Sequence, residues 1–213
     1  MKQLIKLALA ASLMWAMPLW AADFEQNVHY EEILPEPPLG KVGDKIEVIE
    51  FFMYGCPHCY HFEPELNAWL KNKAEDIEFV RVPAMFGRHN NLHAQAFYAL
   101  QAMGEQERVH AAFFEVIHEQ KKRLMTRDDI EAFLQDQGID MAAFRDAWSS
   151  FAVAAKTNRA TALLRRYGIR GVPTVVIDGR YKSGRGLSFK GKVELVDYLA
   201  DRIRQDRQEA AQN

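Results

Sequence analysis

EVIEFFMYGCPHCYHF, residues 47–62, holds the only two cysteines of this 213-residue chain, Cys56 and Cys59. The residues leading into it, Ile46–Phe52, are β-branched or aromatic apart from two glutamates and read as a buried strand. Beyond Cys59 the periodicity changes. Phe62, Leu66, Trp69 and Leu70 recur at i, i+4, i+7 and i+8, the spacing of an amphipathic helix. The pair therefore stands where a strand hands over to a helix, with Cys56 near the N-cap and Pro57 at the first helical position. Proline fits there because its missing N–H has no helical partner in any case.

That placement has chemical consequences. Unpaired N–H groups and the positive end of the helix dipole favour a thiolate at Cys56, by about 0.3–1 kcal/mol and by up to about 2 when partly buried. His58 adds a donor or a cation between the two sulfurs and pushes the same way. A stabilised thiolate is a good leaving group, so the reduced form gains over the disulfide and the site oxidises other thiols. Cys56 is then expected to be the exposed, reactive thiol and Cys59 the buried one. Two other readings exist. A structural disulfide across four residues removes little unfolded-chain entropy, about 2 kcal/mol against about 3 for a fifteen-residue loop. Half of a metal site has no further cysteine to complete it, and no histidine pair has ligand spacing with the motif, so no metal is expected.

Residues 1–22 carry Lys2 and Lys6, then an Ala/Leu-rich apolar run, and end in Pro18-Leu-Trp-Ala-Ala. These are the three regions of a secretory signal peptide, with cleavage after Ala21 or Ala22, and they imply export; an uncleaved N-terminal anchor is the alternative, although the run is shorter than the roughly 20 residues a span needs. About 190 residues remain, enough for one or two domains with a full core. The net charge is −2 with both signs interspersed, which offers nothing to nucleic acid or an anionic membrane surface. Residues 23–45, with Pro35, Pro37 and Pro38, read as an extended arm.

Residues 77–82 alternate as a second strand. The next ninety carry no convincing strand but several helical stripes: Leu92/Ala96/Ala99/Leu100/Met103 up to Gly104, then Val109/Phe113/Val116/Ile117. Thr126 with Asp129 spells a capping-box variant ahead of Ile130, Phe133 and Leu134, which stop at Gly138. Asp140 caps a helix bearing Phe144, Trp148 and Phe151, and a longer helix ends at Gly168. Strands return at 172–178 and 181–183, and a last helix spans 190–207 before a frayed tail. One economical arrangement is an α/β domain built from both ends of the chain, 23–83 and 162–213, with an all-helical domain inserted at 84–161.

C-P-H-C at a strand-to-helix junction, with Gly171-Val172-Pro173-Thr174 opening a strand far downstream, resembles the thioredoxin superfamily. EFFMYGCPHCYHFEPE, RGVPT and the helical block narrow the resemblance to the DsbA-like periplasmic thiol:disulfide oxidoreductases, over nearly the whole mature chain. The resemblance implies a thioredoxin-like fold and a redox-active Cys56–Cys59 disulfide donated to reduced secreted polypeptides. It also implies a cis Val172-Pro173 bond facing that disulfide, re-oxidation by a DsbB-like membrane quinone reductase, and a monomer without cofactor. A proline that merely opens a strand is the plainer account of Pro173.

Glu50 shares a strand face with Ile46, Val48 and Phe52, so its carboxyl should have a raised pKa. The family carries an acidic residue at that position, which implies a proton relay for the second thiol; a merely paired glutamate is the alternative. Glu63 and the histidines 61, 89, 93, 110 and 118 read as surface residues. Met53 and Tyr54 either border a substrate groove or fill the core. The rival from another class is a peptide-binding chaperone with incidental cysteines. A glutathione-dependent enzyme of the same architecture would have no use for the second cysteine.

Overall fold

The computed structural model describes residues 24–34 and 45–212. The expected signal peptide and the prolines of the arm lie outside the described residues. Five strands form one sheet in the order β1-β5-β4-β2-β3: β1 (Tyr30–Glu32), β2 (Ile46–Phe52), β3 (Ile77–Pro83), β4 (Thr174–Ile177) and β5 (Tyr181–Ser183). Only β2 and β3 run parallel, and β2 is buried almost throughout because both of its faces are covered.

Side chains alternate across a strand, and the two parities of β2 enter different cores except at its end, where Phe52 joins the core of Ile49 and Phe51. Ile46 and Val48 pack with Phe62, Leu66 and Trp69 of α1 (Pro57–Leu70) and with Val196, Leu199 and Ile203 of α7 (Phe189–Gln212). Ile49 and Phe51 pack toward the five helices between β3 and β4: α2 (Arg88–Ala102), α3 (Gln106–His118), α4 (Arg127–Asp136), α5 (Met141–Trp148) and α6 (Phe151–Arg166). This is the expected α/β architecture with a helical block between the third and fourth strands. The expected domain limit at 161 falls inside α6, which continues to Arg166.

Local signals account for most helix ends. Thr126 and Asp129 form the reciprocal capping box, with bonds of 3.1 and 3.0 Å. Asp140 accepts from the amides of Ala142 and Ala143 and opens α5. Gly138 closes α4 in the left-handed region, at φ 72°, a backbone conformation that residues with a Cβ rarely adopt. Three expectations need correction. Phe151 is not on the helix of Phe144 and Trp148: Ser150 caps the amide of Val153, so α6 begins there and leaves Phe151 88% exposed. The carboxyl tail is not frayed after Arg207, since α7 runs on through good helix formers to Gln212. The arm is not merely extended, because Tyr30–Glu32 pair with β5.

Gly184 allows that last contact. A Cβ on it would stand 2.8 Å from the carbonyl oxygens of both Val28 and His29, while its own amide donates to His29 at 2.7 Å. Gly184→Ala is expected to cost about 1–3 kcal/mol, as overpacking does, and to speed hydrogen exchange at the β1 amides. Exchange at the wild-type rate would show that the arm docks by other means.

Candidate active site

Backbone geometry puts the first cysteine where the motif suggested. Cys56 is the N-cap of α1, with φ −92° and ψ 116°, and Pro57 follows at the first helical position. Its amide donates to Met53 and its carbonyl accepts from Tyr60. Both cysteines are free thiols. The expected exposure of Cys56 needs correction: it is buried, retaining 8% of its surface, and Cys59 retains none. A loop from the other end of the chain shields Cys56. The Val172–Pro173 bond is cis, and Sγ of Cys56 donates to the Val172 carbonyl at 3.6 Å.

The two thiols are driven apart electrostatically. A hydrogen bond from Cys59 to Cys56 is the largest cause that brings the Cys56 pKa down to about 6. Burial opposes it. The amides of Cys59 and His58 at the helix start, and then the His58 charge, lower it further. His58 is thus a contributor and not the leading one. Burial forces the Cys59 thiol far above its ordinary value, and the charges of Cys56 and Glu50 add to this.

Behind Cys59 lies a chain of buried polar groups. Glu50 is wholly inaccessible, with its carboxyl 3.4 Å from Nε of Arg81 on the neighbouring strand. That ion pair lacks hydrogen-bond geometry, and neither Glu50 oxygen has a hydrogen-bond partner. Burial and the charge of Glu63 raise the Glu50 pKa to about 8 against the pull of Arg81, so the carboxyl is mostly neutral at pH 7. Arg81 also meets Glu63 at 3.4 Å. Glu63 accepts from Asn67 at 3.1 Å and lies 3.3 Å from Nε2 of His110. Burial works against the Glu63 anion, but its bonds with His110, Arg81 and Asn67 outweigh that and hold the carboxyl below its usual range. Burial lowers the His110 pKa in turn. Tyr54 Oη, kept protonated by its own burial, lies 2.8 Å from Nδ1 of His110. Neutral His110 thus accepts from Tyr54 and donates to Glu63 through Nε2.

Several surface assignments are therefore overturned. Glu63 and His110 are buried links of this chain. His93 is buried with Nε2 2.9 Å from the Leu124 carbonyl. His118 stacks on Tyr60 and bonds to the Tyr54 carbonyl. His61 is exposed, as expected, and the His89 side chain lies outside the described residues. Tyr54 is core, stacked on Phe113 at 4.1 Å between centroids, and Met53 packs against the same core. Arg81 and Lys192 escaped sequence reasoning. Arg81 carried a usable signal, since it shares strand parity with the buried Ile77.

A cavity of about 680 Å³ opens beside the cysteine motif. His58, Val172, Pro173, Leu187, Phe189 and buried Lys192 line it, with Lys192 Nζ donating to the Gly184 carbonyl. Among the described residues no cluster of three or more His, Cys, Asp or Glu is placed to hold a metal.

Comparison with known proteins adds independent findings. A family model described as DSBA-like thioredoxin domain matches residues 47–195. The thiol:disulfide interchange protein DsbA of Burkholderia cepacia is 41% identical over 202 residues, 94% of each chain. Its namesake from Pseudomonas aeruginosa strain PAO1 is 38% identical over 207 residues, 96% of this chain and 98% of the other. The crystal structure of P. aeruginosa DsbA superposes with a TM-score of 0.83 at 37% identity, covering 88% of this chain and 98% of that one. A DsbA structure from Xylella fastidiosa gives 0.77 at 34% identity, over 83% and 96%.

Proposed function

The chain belongs to the DSBA-like thioredoxin domain family and is a thiol:disulfide oxidoreductase, and on that premise we propose that it donates a Cys56–Cys59 disulfide to reduced secreted polypeptides. The observation that carries this reading is the placement of Cys56 at the N-cap of α1 against the Val172 carbonyl, with Cys59 wholly buried one turn behind it, an arrangement that shifts the two thiols in opposite directions.

A client thiolate attacks Sγ of Cys56. The Cys56–Cys59 bond breaks, its electron pair leaves on Cys59, and a mixed disulfide forms between Cys56 and the client. The Cys59 thiolate is strongly disfavoured where it is buried, so it takes a proton, and Glu50, a neutral acid behind it at pH 7, supplies one. A second client thiolate then attacks the client sulfur of the mixed disulfide and expels Cys56. Cys56 leaves as the thiolate, the form favoured above pH 6. The client has lost two electrons and gained a disulfide; the protein carries them as one thiolate and one thiol. Val172 presents backbone beside Cys56, so an extended client segment adds there like a strand. Return to the disulfide needs an electron acceptor, which we assign to a DsbB-like, quinone-linked membrane protein. The setting is the periplasm, reached through residues 1–22, and the working form is a monomer. We assign the helical domain, 84–161, to completing the buried surroundings of the site through His110.

The test is stoichiometric oxidation of a reduced dithiol peptide by the oxidised protein. Transfer of one disulfide per molecule is expected, and none from Cys56→Ser. A chaperone with incidental cysteines would keep its full function in that variant.

A further inference from the structure

The cavity beside Cys56 has a charge that the whole chain lacks. Overall the protein is slightly acidic, at −2. Yet the residues lining this cavity include Arg170, Arg185 and Lys192 and no aspartate or glutamate. A second cavity, of about 620 Å³, adjoins it. Arg170, Gly171, Thr174, Gly184 and Arg185 line both, so the two arginines stand on the ridge between them. The single carboxylate of the second cavity, Glu31, is already engaged by Lys182 at 3.0 Å. Lys192 is committed to the Gly184 carbonyl. Arg170 and Arg185 are exposed, and neither has a carboxylate partner among the described residues.

We infer that this groove selects client segments carrying a carboxylate two residues from the cysteine to be oxidised. The inference rests on the function proposed above and names its preferred substrates. Val172 marks the reacting position, since its carbonyl is 3.6 Å from Sγ of Cys56. A strand advances about 3.3 Å per residue, and side chains two apart share a face. A client strand whose reacting residue lies opposite Val172 carries the side chain two places away about 7 Å further along, which is within the part of the groove that Arg170 lines. Arg185 faces the same client stretch from the β5–α7 loop. Guanidinium groups bind carboxylates with two parallel hydrogen bonds and add specificity to charge. A lysine at the same client position meets repulsion and no acceptor. The apolar side chains of Pro173, Leu187 and Phe189 are the part of the groove that takes the client's neutral residues.

The experiment uses short peptides with two cysteines, bearing Glu, Gln or Lys two residues before or after the first. Oxidation rates are measured with the wild-type protein and with an Arg170→Glu/Arg185→Glu double variant, at low salt and at 0.5 M salt. Each rate is divided by that protein's rate with dithiothreitol, which cancels changes in the disulfide itself. The ratio of the two proteins on one peptide cancels the peptide's own thiol reactivity. The wild type is expected to favour Glu over Lys about tenfold at low salt, and the double variant to reverse the order. Both preferences should shrink at high salt, where exposed charges are screened. Equal rates for Glu and Lys, or a preference that the double variant keeps, would overturn the inference. Failure of the wild type to oxidise any peptide would instead remove the function on which it stands.

Discussion

Reduced protein treated with a neutral alkylating reagent is expected to lose Cys56 alone, with a rate that rises through a midpoint near pH 6. At pH 7 about nine-tenths of Cys56 is then thiolate, against a few per cent of an ordinary cysteine. Cys59, with no exposed surface and a strongly raised pKa, stays unlabelled through pH 9. The same shift makes stability depend on pH. The folded Cys56 pKa lies below the unfolded value of about 8.5, so the reduced unfolded chain binds more protons between the two. The contribution is full above the unfolded pKa and is lost as pH falls through the folded one. From pH 5 to 8 the linkage amounts to about 2.5 kcal/mol, which solvent around the thiol reduces to about 2. Urea melts of both redox forms read it directly, because the other titrating groups largely cancel in the difference. A constant difference, or equal labelling of the two cysteines, would refute the assignment.

Arg81→Met should be the most damaging single substitution in the buried chain. Removing one partner of a buried ion pair typically costs about 3–5 kcal/mol, because the remaining charge is left without compensation. Here the group left behind is Glu63, which would retain only His110 and Asn67, while Glu50 responds by staying protonated. Replacing the whole cluster, Glu50→Leu with Glu63→Leu and Arg81→Met, is expected to cost less than Arg81→Met alone, because no charge is left buried, although the buried Nε2–H of His110 then loses its acceptor. Glu50 also imposes a slope of its own. Its folded pKa of about 8 exceeds the ordinary carboxylate value, so the folded state binds more protons from about pH 4.5 to 8 and stability falls as pH rises through that range. Glu50→Leu removes this slope in the oxidised protein, where no thiol titrates. A loss below 1 kcal/mol for Arg81→Met, or an unchanged slope for Glu50→Leu, would show that the chain is hydrated and weakly coupled.

These expectations mark what the sequence could and could not disclose. Local signals were legible. Ile46–Phe52 spelled a buried strand, Pro57 marked a helix start, and Thr126 with Asp129 wrote a complete capping box. Glu50 disclosed its burial through the parity of its apolar neighbours. Residues whose surroundings come from distant chain were opaque. Glu63 is one residue from the buried Phe62, and only Arg81 on β3 and His110 on α3 turn that position into a satisfied polar site. Tyr30–Glu32 is too short to signal a strand, and its partner lies at the other end of the chain. Phe151 misled because its spacing from Phe144 and Trp148 continues the helical stripe, while Ser150 quietly starts a new helix. The reactive cysteine was legible as a position but not as an exposure. The loop that shields it arrives from residues 172 and 173.

The strand order also fixes a sequence of events during biosynthesis. In a chain made from its amino end, β1, β2, both thiols, α1 and β3 emerge before the five helices. The strand that seals the other side of β2 comes only after them. Helical contacts are mostly local and form early, whereas pairing β2 with β4 must close a long loop. The nascent protein therefore passes through a stage with its helices formed, an open β2 edge and two uncovered thiols. Such an edge is a template for unwanted pairing. The last strands and α7 end that exposure and complete the site in one stroke, so a chain truncated before residue 172 would be both inactive and adhesive.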